Sequence, residues 1–331
     1  MLQKTMFDKT EIFSISSQKQ FEKMALKIFR LQYENNAVYR QFCDLQKIEI
    51  QKIKTLEQIP FLPIQFFKSR KVVSNIDAIQ EIFTSSGTTG AITSQHFVTD
   101  ISMYEKSYRQ GFSSFYGNIE NYVILALLPS YLERDGSSLI YMVKDLIALS
   151  KNENSGFYLN NYDDLIKKLL VLEKSDQNVI LFGVTYALLD LIEKQNFDLK
   201  NTIIMETGGM KGKRKEMIRE ELHQKLCAGF GVATIHSEYG MTELLSQAYS
   251  AGNGIFECPG SMQILIRDTK DALSYVSYEK SGGINIIDLA NVNSCSFIAT
   301  QDLGKKYRNA TFEVLGRFDN SDVRGCNLMV H

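Results

Sequence analysis

Residues 178–194 read NVILFGVTYALLDLIEK, and this stretch decides the fold class. Its first half, Asn178–Val184, is a β-like apolar run. Its second half, Tyr186–Lys194, has the pattern of a helix whose inward side carries Leu188, Leu189 and Ile192. An apolar strand that leads directly into an amphipathic helix is typical of a sheet covered by helices.

The same alternation continues toward the C-terminus. Thr202–Met205 is predicted as a short buried strand, Lys213–Cys227 as a helix that Gly229 would end, and Val232–His236 as a third strand. The helix would carry Ile218, Leu222 and Leu226. Strands and helices that alternate with short connections predict a parallel sheet covered by helices.

After Gly254 the pattern changes to strands separated by turns, with no helix between them: Met262–Ile266, Ile284–Asp288 and Phe297–Thr300. This indicates a smaller antiparallel sheet or a distorted barrel. We therefore predict an α/β core over residues 1–251, a small β subdomain over 252–315, and a tail over 316–331. Near the N-terminus, Ser17 and Gln20 resemble a capping box in front of an amphipathic helix.

Composition excludes several classes of function. The chain has 331 residues, 44% of them hydrophobic and 23% charged, with a formal net charge of −1, so neither nucleic acid nor a polybasic membrane surface is indicated. No apolar run is long enough for a transmembrane segment, and the N-terminus does not read as a signal peptide, so we expect a cytoplasmic protein. The five cysteines form no CxxC pair, which argues against a zinc ribbon: Cys43, Cys227, Cys258, Cys295 and Cys326.

Residues 83–90 read FTSSGTTG, with four hydroxyl side chains and two glycines between Ser85 and Gly90. Glycine lets backbone N–H groups close around an anion, and hydroxyl groups add donors, so the segment suits a phosphate. A plain hairpin turn has a similar composition. A second glycine-rich stretch, Gly208–Lys213, fails as a Walker loop because it is one residue short and Arg214 replaces the magnesium-binding Ser or Thr.

The loop Ser85–Gly90 resembles the signature of the adenylate-forming superfamily, which includes acyl-CoA synthetases, luciferases and peptide-synthetase adenylation domains. Three further signatures follow in the order of that superfamily: Tyr239–Glu243, Thr300–Gly304 and Gly316–Asp319. The resemblance implies the large-domain fold of these enzymes, with parallel sheets flanked by helices and a smaller antiparallel sheet or distorted barrel.

Finer features are similar to the acyl-protein synthetase (LuxE-type) branch, which activates fatty acids in bacterial bioluminescence. The matching segments are Pro60–Pro63, Leu128–Arg134, Thr207–Gly212, Ser237–Gln247 and Arg324–Cys326. The resemblance runs from about Ile59 to the C-terminus. It implies ATP and Mg²⁺ as cofactors and a carboxylic acid, with a fatty acid favoured, as the substrate.

The resemblance also implies roles around the phosphates. The loop formed by Ser85, Ser86, Gly87, Thr88, Thr89 and Gly90 would hold the β- and γ-phosphates. Thr242 would bond the α-phosphate or the acyl-adenylate, and Glu243 would bind magnesium, since carboxylates suit hard cations. Taken singly, each of these residues could be an ordinary turn or surface residue.

Other residues would hold the adenosine. Tyr239 would stack on adenine beside Gly240, because an aromatic ring packs on a purine. Asp302 would accept hydrogen bonds from the ribose hydroxyls, and Arg317 would lie near ribose or phosphate. The segment Thr207–Gly212 would bring Gly208 and Gly209 to the nucleotide.

The transfer of the acyl group involves residues near the C-terminus of the sequence. Most adenylate-forming enzymes carry a further domain after Gly316–Arg317, whose lysine neutralises the forming adenylate. Here we expect that domain to be absent and another cation to serve, with Lys211, Lys213 and Arg214 as candidates by composition. In the family, a cysteine at the place of Cys326 receives the acyl group, and the neighbouring Arg324 would favour its thiolate. His236 would contact the substrate carboxylate.

The predicted activity is therefore ATP-dependent formation of acyl-AMP and transfer of the acyl group to a thiol, with an acyl-accepting reductase as a partner. Three alternatives remain open. Coenzyme A could be the acceptor, as in phenylacetate-CoA ligase. The chain could be a non-catalytic subunit that binds acyl groups or nucleotides. It could also be an acyltransferase that takes preformed acyl donors and works without ATP.

Overall fold

The computed structural model describes residues 8–74, 78–85, 92–129, 135–210, 213–215 and 217–318. Within them, the helices are α1 (Gln18–Asn35), α2 (Ala37–Leu45), α3 (Phe66–Ser69), α4 (Ile101–Tyr116), α5 (Ser138–Ser150), α6 (Tyr162–Leu172), α7 (Thr185–Lys194) and α8 (Arg219–Phe230). The strands are β1 (Leu62–Pro63), β2 (Glu81–Thr84), β3 (Gln95–Val98), β4 (Tyr122–Leu127), β5 (Gly156–Tyr158), β6 (Asn178–Val184), β7 (Thr202–Thr207), β8 (His236–Tyr239), β9 (Ala248–Ser250), β10 (Ile255–Phe256), β11 (Met262–Arg267), β12 (Ser281–Asp288), β13 (Phe297–Lys306) and β14 (Phe312–Arg317).

The central sheet has the strand order β5-β4-β6-β7-β8-β9, and every pair except β8–β9 is parallel. The predicted strand Asn178–Val184 is confirmed, and all of its residues after Asn178 are buried. Helix α5 packs on β4, and α7 packs on β6 and β7. The α/β class with a helix-covered parallel sheet is therefore confirmed.

Two boundaries differ from the prediction. The helix begins at Arg219 rather than Lys213, so Ile218 lies before the helix instead of on it and is 71% exposed. Lysines and arginines before Arg219 would be repelled by the positive N-terminal end of a helix dipole. The acidic residues in the first turn of α8 are attracted by that end and therefore favour a helix that begins at Arg219. The helix ends at Gly231, which adopts a φ of +69°, and not at Gly229. The third strand covers His236–Tyr239, so the predicted strand Val232–His236 was placed too early.

The C-terminal sheet has the order β10-β14-β13-β12-β11, and β1 joins it by pairing with β13. All pairs except β1–β13 are antiparallel, which confirms the predicted smaller antiparallel sheet. Strands β2 and β3 form a separate antiparallel hairpin. The segment between β9 and β10 connects the central sheet to the C-terminal sheet. The division of the chain into domains stays a prediction.

The N-terminal helix packs against the C-terminal sheet through a buried amide. Gln32 donates to the carbonyls of Asn291 and Val292 and accepts from the backbone N–H of Ser296. The helix starts at the predicted cap, since the Ser17 side chain accepts from the backbone N–H of Gln20. Within the described ranges, no helix has the length and apolar composition needed to cross a membrane.

A buried carboxylate ties the central sheet to α8. Glu206 on β7 receives the Arg219 guanidinium at 2.5 Å, His223 Nε2 at 3.1 Å and the Ser237 hydroxyl at 2.9 Å, all on Oε1. Burial alone would raise the pKa of Glu206, but the hydrogen bond from His223 and the charge of Arg219 outweigh it and lower that pKa. Glu206 is therefore ionised at neutral pH and holds three elements together.

Glu206→Ala is expected to lower the free energy of unfolding by about 3 kcal/mol, because it leaves Arg219 without its buried partner. Urea unfolding followed by far-UV circular dichroism measures the change. The matched control is Glu193→Ala, which removes an exposed carboxylate from Arg214 and should change stability by less than about 1 kcal/mol. Equal losses in the two variants would contradict the assigned role of Glu206.

Candidate active site

Residues from three of the predicted signatures meet in one cluster. The Tyr239 hydroxyl donates to Asp302 Oδ2 at 2.7 Å, and Arg317 Nε donates to Asp302 Oδ1 at 3.2 Å. Asp302 is only 6% exposed. It is the antiparallel neighbour of Arg317 across β13 and β14, while Tyr239 ends β8 of the other sheet. The cluster therefore lies where the two sheets meet.

The ring of Tyr239 is buried among aromatic side chains. It makes edge-type contacts with Phe256 at 5.9 Å and Phe312 at 5.8 Å between ring centroids. Burial, together with the neighbouring Asp302 carboxylate, raises the pKa of Tyr239 well above its usual value, so its hydroxyl remains a donor. Stacking of this ring on adenine stays a prediction.

The base of the predicted phosphate loop is well defined. The N–H of Ser85 donates to the Ser94 carbonyl at 3.1 Å, and the N–H of Ser94 donates to the Ser85 hydroxyl at 2.9 Å. These bonds close the hairpin of β2 and β3 immediately below the loop. The other loop residues lie outside the described residues: Ser86, Gly87, Thr88, Thr89 and Gly90.

Glu243 lies beside this hairpin and is 5% exposed. Burial raises the pKa of Glu243, while a hydrogen bond with Ser94 and the charges of Arg317 and Lys68 act in the opposite direction. The second signature therefore lies between the base of the phosphate loop and the fourth signature. Lys68 brings a positive charge that the sequence did not point to, because it comes from the distant helix α3.

The structure also bears on the predicted metal. No group of three His, Cys, Asp or Glu side chains that could hold an ion occurs among the described residues. Magnesium typically binds through one or two carboxylates together with substrate phosphates. A single buried carboxylate at the base of a phosphate loop fits that mode, and Glu243 supplies it. Its role as a metal ligand stays a prediction.

A buried histidine connects the hairpin to the second signature. His96 on β3 places Nδ1 2.8 Å from the Thr242 carbonyl and Nε2 3.0 Å from Asn291 Oδ1. Asn291 in turn donates to the Glu243 carbonyl at 2.7 Å. Burial lowers the pKa of His96 to about 4, so the ring is neutral and has one N–H to donate. We missed both residues, and the only sequence signal was a histidine at an inward position of a short strand.

His96→Phe is expected to slow acid-dependent ATP–pyrophosphate exchange by about 10- to 100-fold, because the Thr242–Glu243 backbone would lose its attachment to the hairpin. His96→Asn retains one short donor and should recover most of the rate. Steady-state exchange at saturating ATP measures both variants. A His96→Phe enzyme as fast as the wild type would exclude this positioning role.

The predicted glycines lie at the carboxyl end of β7. Gly208 and Gly209 are exposed, and the Gly208 carbonyl accepts from the Thr185 hydroxyl at 3.2 Å. In parallel sheets, ligands bind outside the carboxyl ends of the strands. Lys211 lies outside the described residues. Arg214 binds Asp190 and Glu193, so its charge is neutralised by carboxylates nearby.

His236 opens β8, and its register partner on the parallel strand β7 is Met205. Its Nδ1 lies 3.1 Å from the Tyr116 hydroxyl, and burial lowers its pKa. The ring is therefore neutral at pH 7. Contact between His236 and a substrate carboxylate stays a prediction. Cys326 lies outside the described residues.

Comparisons with known proteins show which families and folds the chain is similar to. The family model for acyl-protein synthetase, LuxE, matches residues 6–129. The long-chain-fatty-acid–luciferin-component ligase of Aliivibrio fischeri is 22% identical over 348 residues, which cover 97% of this chain and 90% of that protein.

Solved structures with the same fold include 2-hydroxyisobutyryl-CoA ligase in complex with 2-HIB-AMP and CoA, with a TM-score of 0.70, 11% identity, and coverage of 91% of this chain and 75% of that one. ATP-bound MatB from Rhodopseudomonas palustris aligns with a TM-score of 0.55 and 15% identity over 74% of this chain, which spans half of the MatB chain. The chain is thus similar over residues 6–129 to the acyl-protein synthetases of the LuxE family, and it has the large-domain fold of adenylate-forming enzymes.

Proposed function

We propose that this protein uses ATP to activate a carboxylic acid as acyl-AMP and then passes the acyl group to a thiol. The observation that carries the proposal is the hydrogen-bonded cluster of Tyr239, Asp302 and Arg317. Glu243 lies close enough for the positive charge of Arg317 to lower its pKa. These residues come from three signatures spread along the chain. Their convergence supports a single nucleotide site at the junction of the two sheets.

The Asp302 carboxylate has the capacity to hold a ribose. A carboxylate offers about four lone-pair positions. Tyr239 occupies one on Oδ2 and Arg317 occupies one on Oδ1. The remaining positions would accept the two ribose hydroxyls, while Tyr239 and Arg317 hold the carboxylate in a fixed orientation.

The phosphates would then reach the hairpin of β2 and β3. The substrate carboxylate would attack the α-phosphorus, and pyrophosphate would leave. Magnesium, when bound, would neutralise charge on the phosphates. Thr242 is partly exposed beside Glu243, and its backbone is held by His96, so its hydroxyl would donate to the α-phosphate. Such fixed donors act mainly by positioning and electrostatic stabilisation.

Cys326 is the proposed acyl acceptor. The described cysteines are poor alternatives, because burial raises the pKa values of Cys43, Cys258 and Cys295 to about 12 and also raises that of Cys227. A thiol must be ionised to act as a nucleophile. Cys326 has an arginine at position 324, which would stabilise the thiolate once a base has taken the S–H proton.

The substrate class that we favour is a long-chain fatty acid, which appears in the name of the Aliivibrio fischeri relative. The test is ATP–pyrophosphate exchange with a panel of fatty acids of increasing chain length, short hydroxy acids and aromatic acids. We expect exchange that depends on the acid and is strongest with long-chain fatty acids. Binding of ATP without exchange for any acid would contradict the proposed function.

A parallel reaction with added coenzyme A separates the two acceptors. If Cys326 is the acceptor, radiolabelled acid becomes attached to the protein and little free acyl-CoA forms. If free acyl-CoA accumulates and the protein stays unlabelled, the chain is a coenzyme A ligase instead.

A further inference from the structure

Glu238 is a carboxylate at the candidate active site that the proposed roles do not use. It lies on β8 between His236 and Gly240, and its register partner on β7 is Thr207 at the carboxyl end of that strand. The Thr207 hydroxyl donates to Glu238 Oε2 at 2.5 Å. No Lys, Arg or His forms an ion pair with Glu238 in the described part of the chain. This carboxylate therefore lacks the cation that a structural buried carboxylate such as Glu206 has.

The side chain of Glu238 leans toward the second signature. A Cβ atom at position 240 would collide with Glu238 Oε1, so the glycine at this position leaves room for the carboxylate. Two residues further along is Thr242, the proposed donor to the α-phosphate. The carboxylate therefore lies between the end of β7 and the residues expected to hold the acyl-adenylate.

The surroundings of Glu238 contain polar atoms without partners. Tyr249, directly opposite Glu238 on β9, has a buried hydroxyl with no hydrogen-bond partner among the described residues. The same holds for Oε1 of the buried Gln247, whose Cγ lies near Gly240. Buried polar groups in native proteins are normally paired with protein, water or ligand. The Tyr249 hydroxyl and Gln247 Oε1 are therefore able to form hydrogen bonds with a polar group on this face.

Four titratable side chains of the described residues surround Glu238 or its face of β8, and all four are uncharged at neutral pH. Tyr104 from α4 and Tyr249 from β9 are close enough for the Glu238 charge to raise their pKa values, and burial, the larger cause, raises them further. On the same face of β8, burial lowers the pKa of His236, and Tyr116 from α4, whose own pKa is raised by burial, contacts that ring. Tyr104, Tyr116, Tyr249 and His236 are therefore all neutral near pH 7.

We propose that Glu238 is the base that takes the proton from the thiol attacking the acyl-adenylate, an inference that rests on the proposed function. The S–H proton moves to the Glu238 carboxylate, and the sulfur forms a bond to the acyl carbonyl carbon. The bond from that carbon to the phosphate oxygen breaks, and AMP leaves with the electron pair. Glu238 then releases the proton to solvent.

The ionisation of Glu238 is suited to this step. Burial raises its pKa to about 7, against the hydrogen bond from Thr207, which lowers it. A general base works best when its pKa lies near the operating pH, and thiols ionise slightly above neutrality. Because no ion pair with a described residue stabilises its charge, the carboxylate remains a competent proton acceptor.

The experiment compares the two half-reactions in wild type and Glu238→Gln. Adenylation is measured by ATP–pyrophosphate exchange, and transfer by single-turnover attachment of radiolabelled fatty acid to the protein between pH 5.5 and 9. We expect exchange within about twofold of wild type and transfer slowed about 100-fold in the variant. In the wild type, transfer should rise with pH through about 7, as Glu238 loses its proton.

Thr207→Val provides an independent test. Loss of its hydroxyl removes a hydrogen bond that favours the charged form of Glu238, so the rise in transfer should move to higher pH, and Thr207→Ser should restore the wild-type profile. If Glu238→Gln transfers the acyl group at the wild-type rate, or loses exchange and transfer equally, Glu238 is not the base. Either result would leave the proposed function intact. Absence of exchange by the wild type with every acid would overturn the proposed function, and the inference with it.

Thermal unfolding shows whether Glu238→Gln folds and whether Glu238 ionises as required. Burial raises the pKa of Glu238 in the folded protein from the ordinary value of 4.5 to about 7, so the wild type loses stability as pH rises through this window. Glutamine has no charge to bury. The Tm of Glu238→Gln should therefore equal that of the wild type at pH 4.5 and exceed it at pH 8. A constant Tm difference across this range would contradict the assigned ionisation.

Discussion

Asp302→Ala is expected to lower the kcat/KM of pyrophosphate exchange for ATP by about 100-fold. The substitution would remove two hydrogen bonds between a charged carboxylate and the ribose, each worth about 1.5 kcal/mol or more. It would also leave the buried Tyr239 hydroxyl and the Arg317 guanidinium without their partner. Because the ribose is bound equally in the ground and transition states, most of the loss should appear in the KM for ATP.

The matched control is Asp145→Ala. Asp145 also accepts hydrogen bonds from an arginine, at 2.7 and 2.8 Å from Arg109, but it lies on α5 and belongs to no signature. Exchange by this variant should stay within about twofold of wild type, as expected for a partly exposed ion pair outside the site. If Asp302→Ala exchanged as fast as Asp145→Ala, the nucleotide would be bound elsewhere.

Cys326→Ser is expected to abolish attachment of radiolabelled acyl groups to the protein while leaving acid-dependent exchange at the wild-type rate. A serine hydroxyl is almost entirely protonated at neutral pH and is a far weaker nucleophile than a thiolate. Denaturing gel electrophoresis with autoradiography measures the label, and its release by neutral hydroxylamine identifies a thioester.

Cys227→Ser is the control for this experiment, because Cys227 is a partly buried thiol on α8 whose pKa is raised by burial. Labelling of the control should equal that of the wild type. Stable labelling of Cys326→Ser at another residue would rule out the acceptor assignment, and retained transfer to coenzyme A would favour the ligase alternative.

The sequence correctly predicted those strands and helices whose formation depends mainly on residues nearby in the chain. The apolar run Asn178–Val184 became β6 without a change of bounds, since its pattern and its flanking helix point to the same structure. The errors occurred where local patterns conflicted with other interactions. Ile218 was placed on a helix because of its spacing, but the positive charges before it favour a loop.

The candidate site was predictable only as far as its signatures extend. The sequence identified Tyr239, Asp302 and Arg317 as members of three separate signatures. It did not predict the hydrogen bonds between them, because these depend on strand pairing that no local pattern reveals. His96 and Glu238 were not identified. Their roles depend on contacts with residues far away in the sequence, and sequence periodicity carries no information about such partners.

The most direct test of the shared nucleotide site is a crystal structure with a non-hydrolysable acyl-sulfamoyl adenosine. The ribose should lie within hydrogen-bonding distance of both Asp302 oxygens, with the sulfamoyl group beside Thr242 and the adenine next to Tyr239. If the adenosine occupies another surface, with Asp302 still bound only to Tyr239 and Arg317, then these residues do not form the nucleotide site.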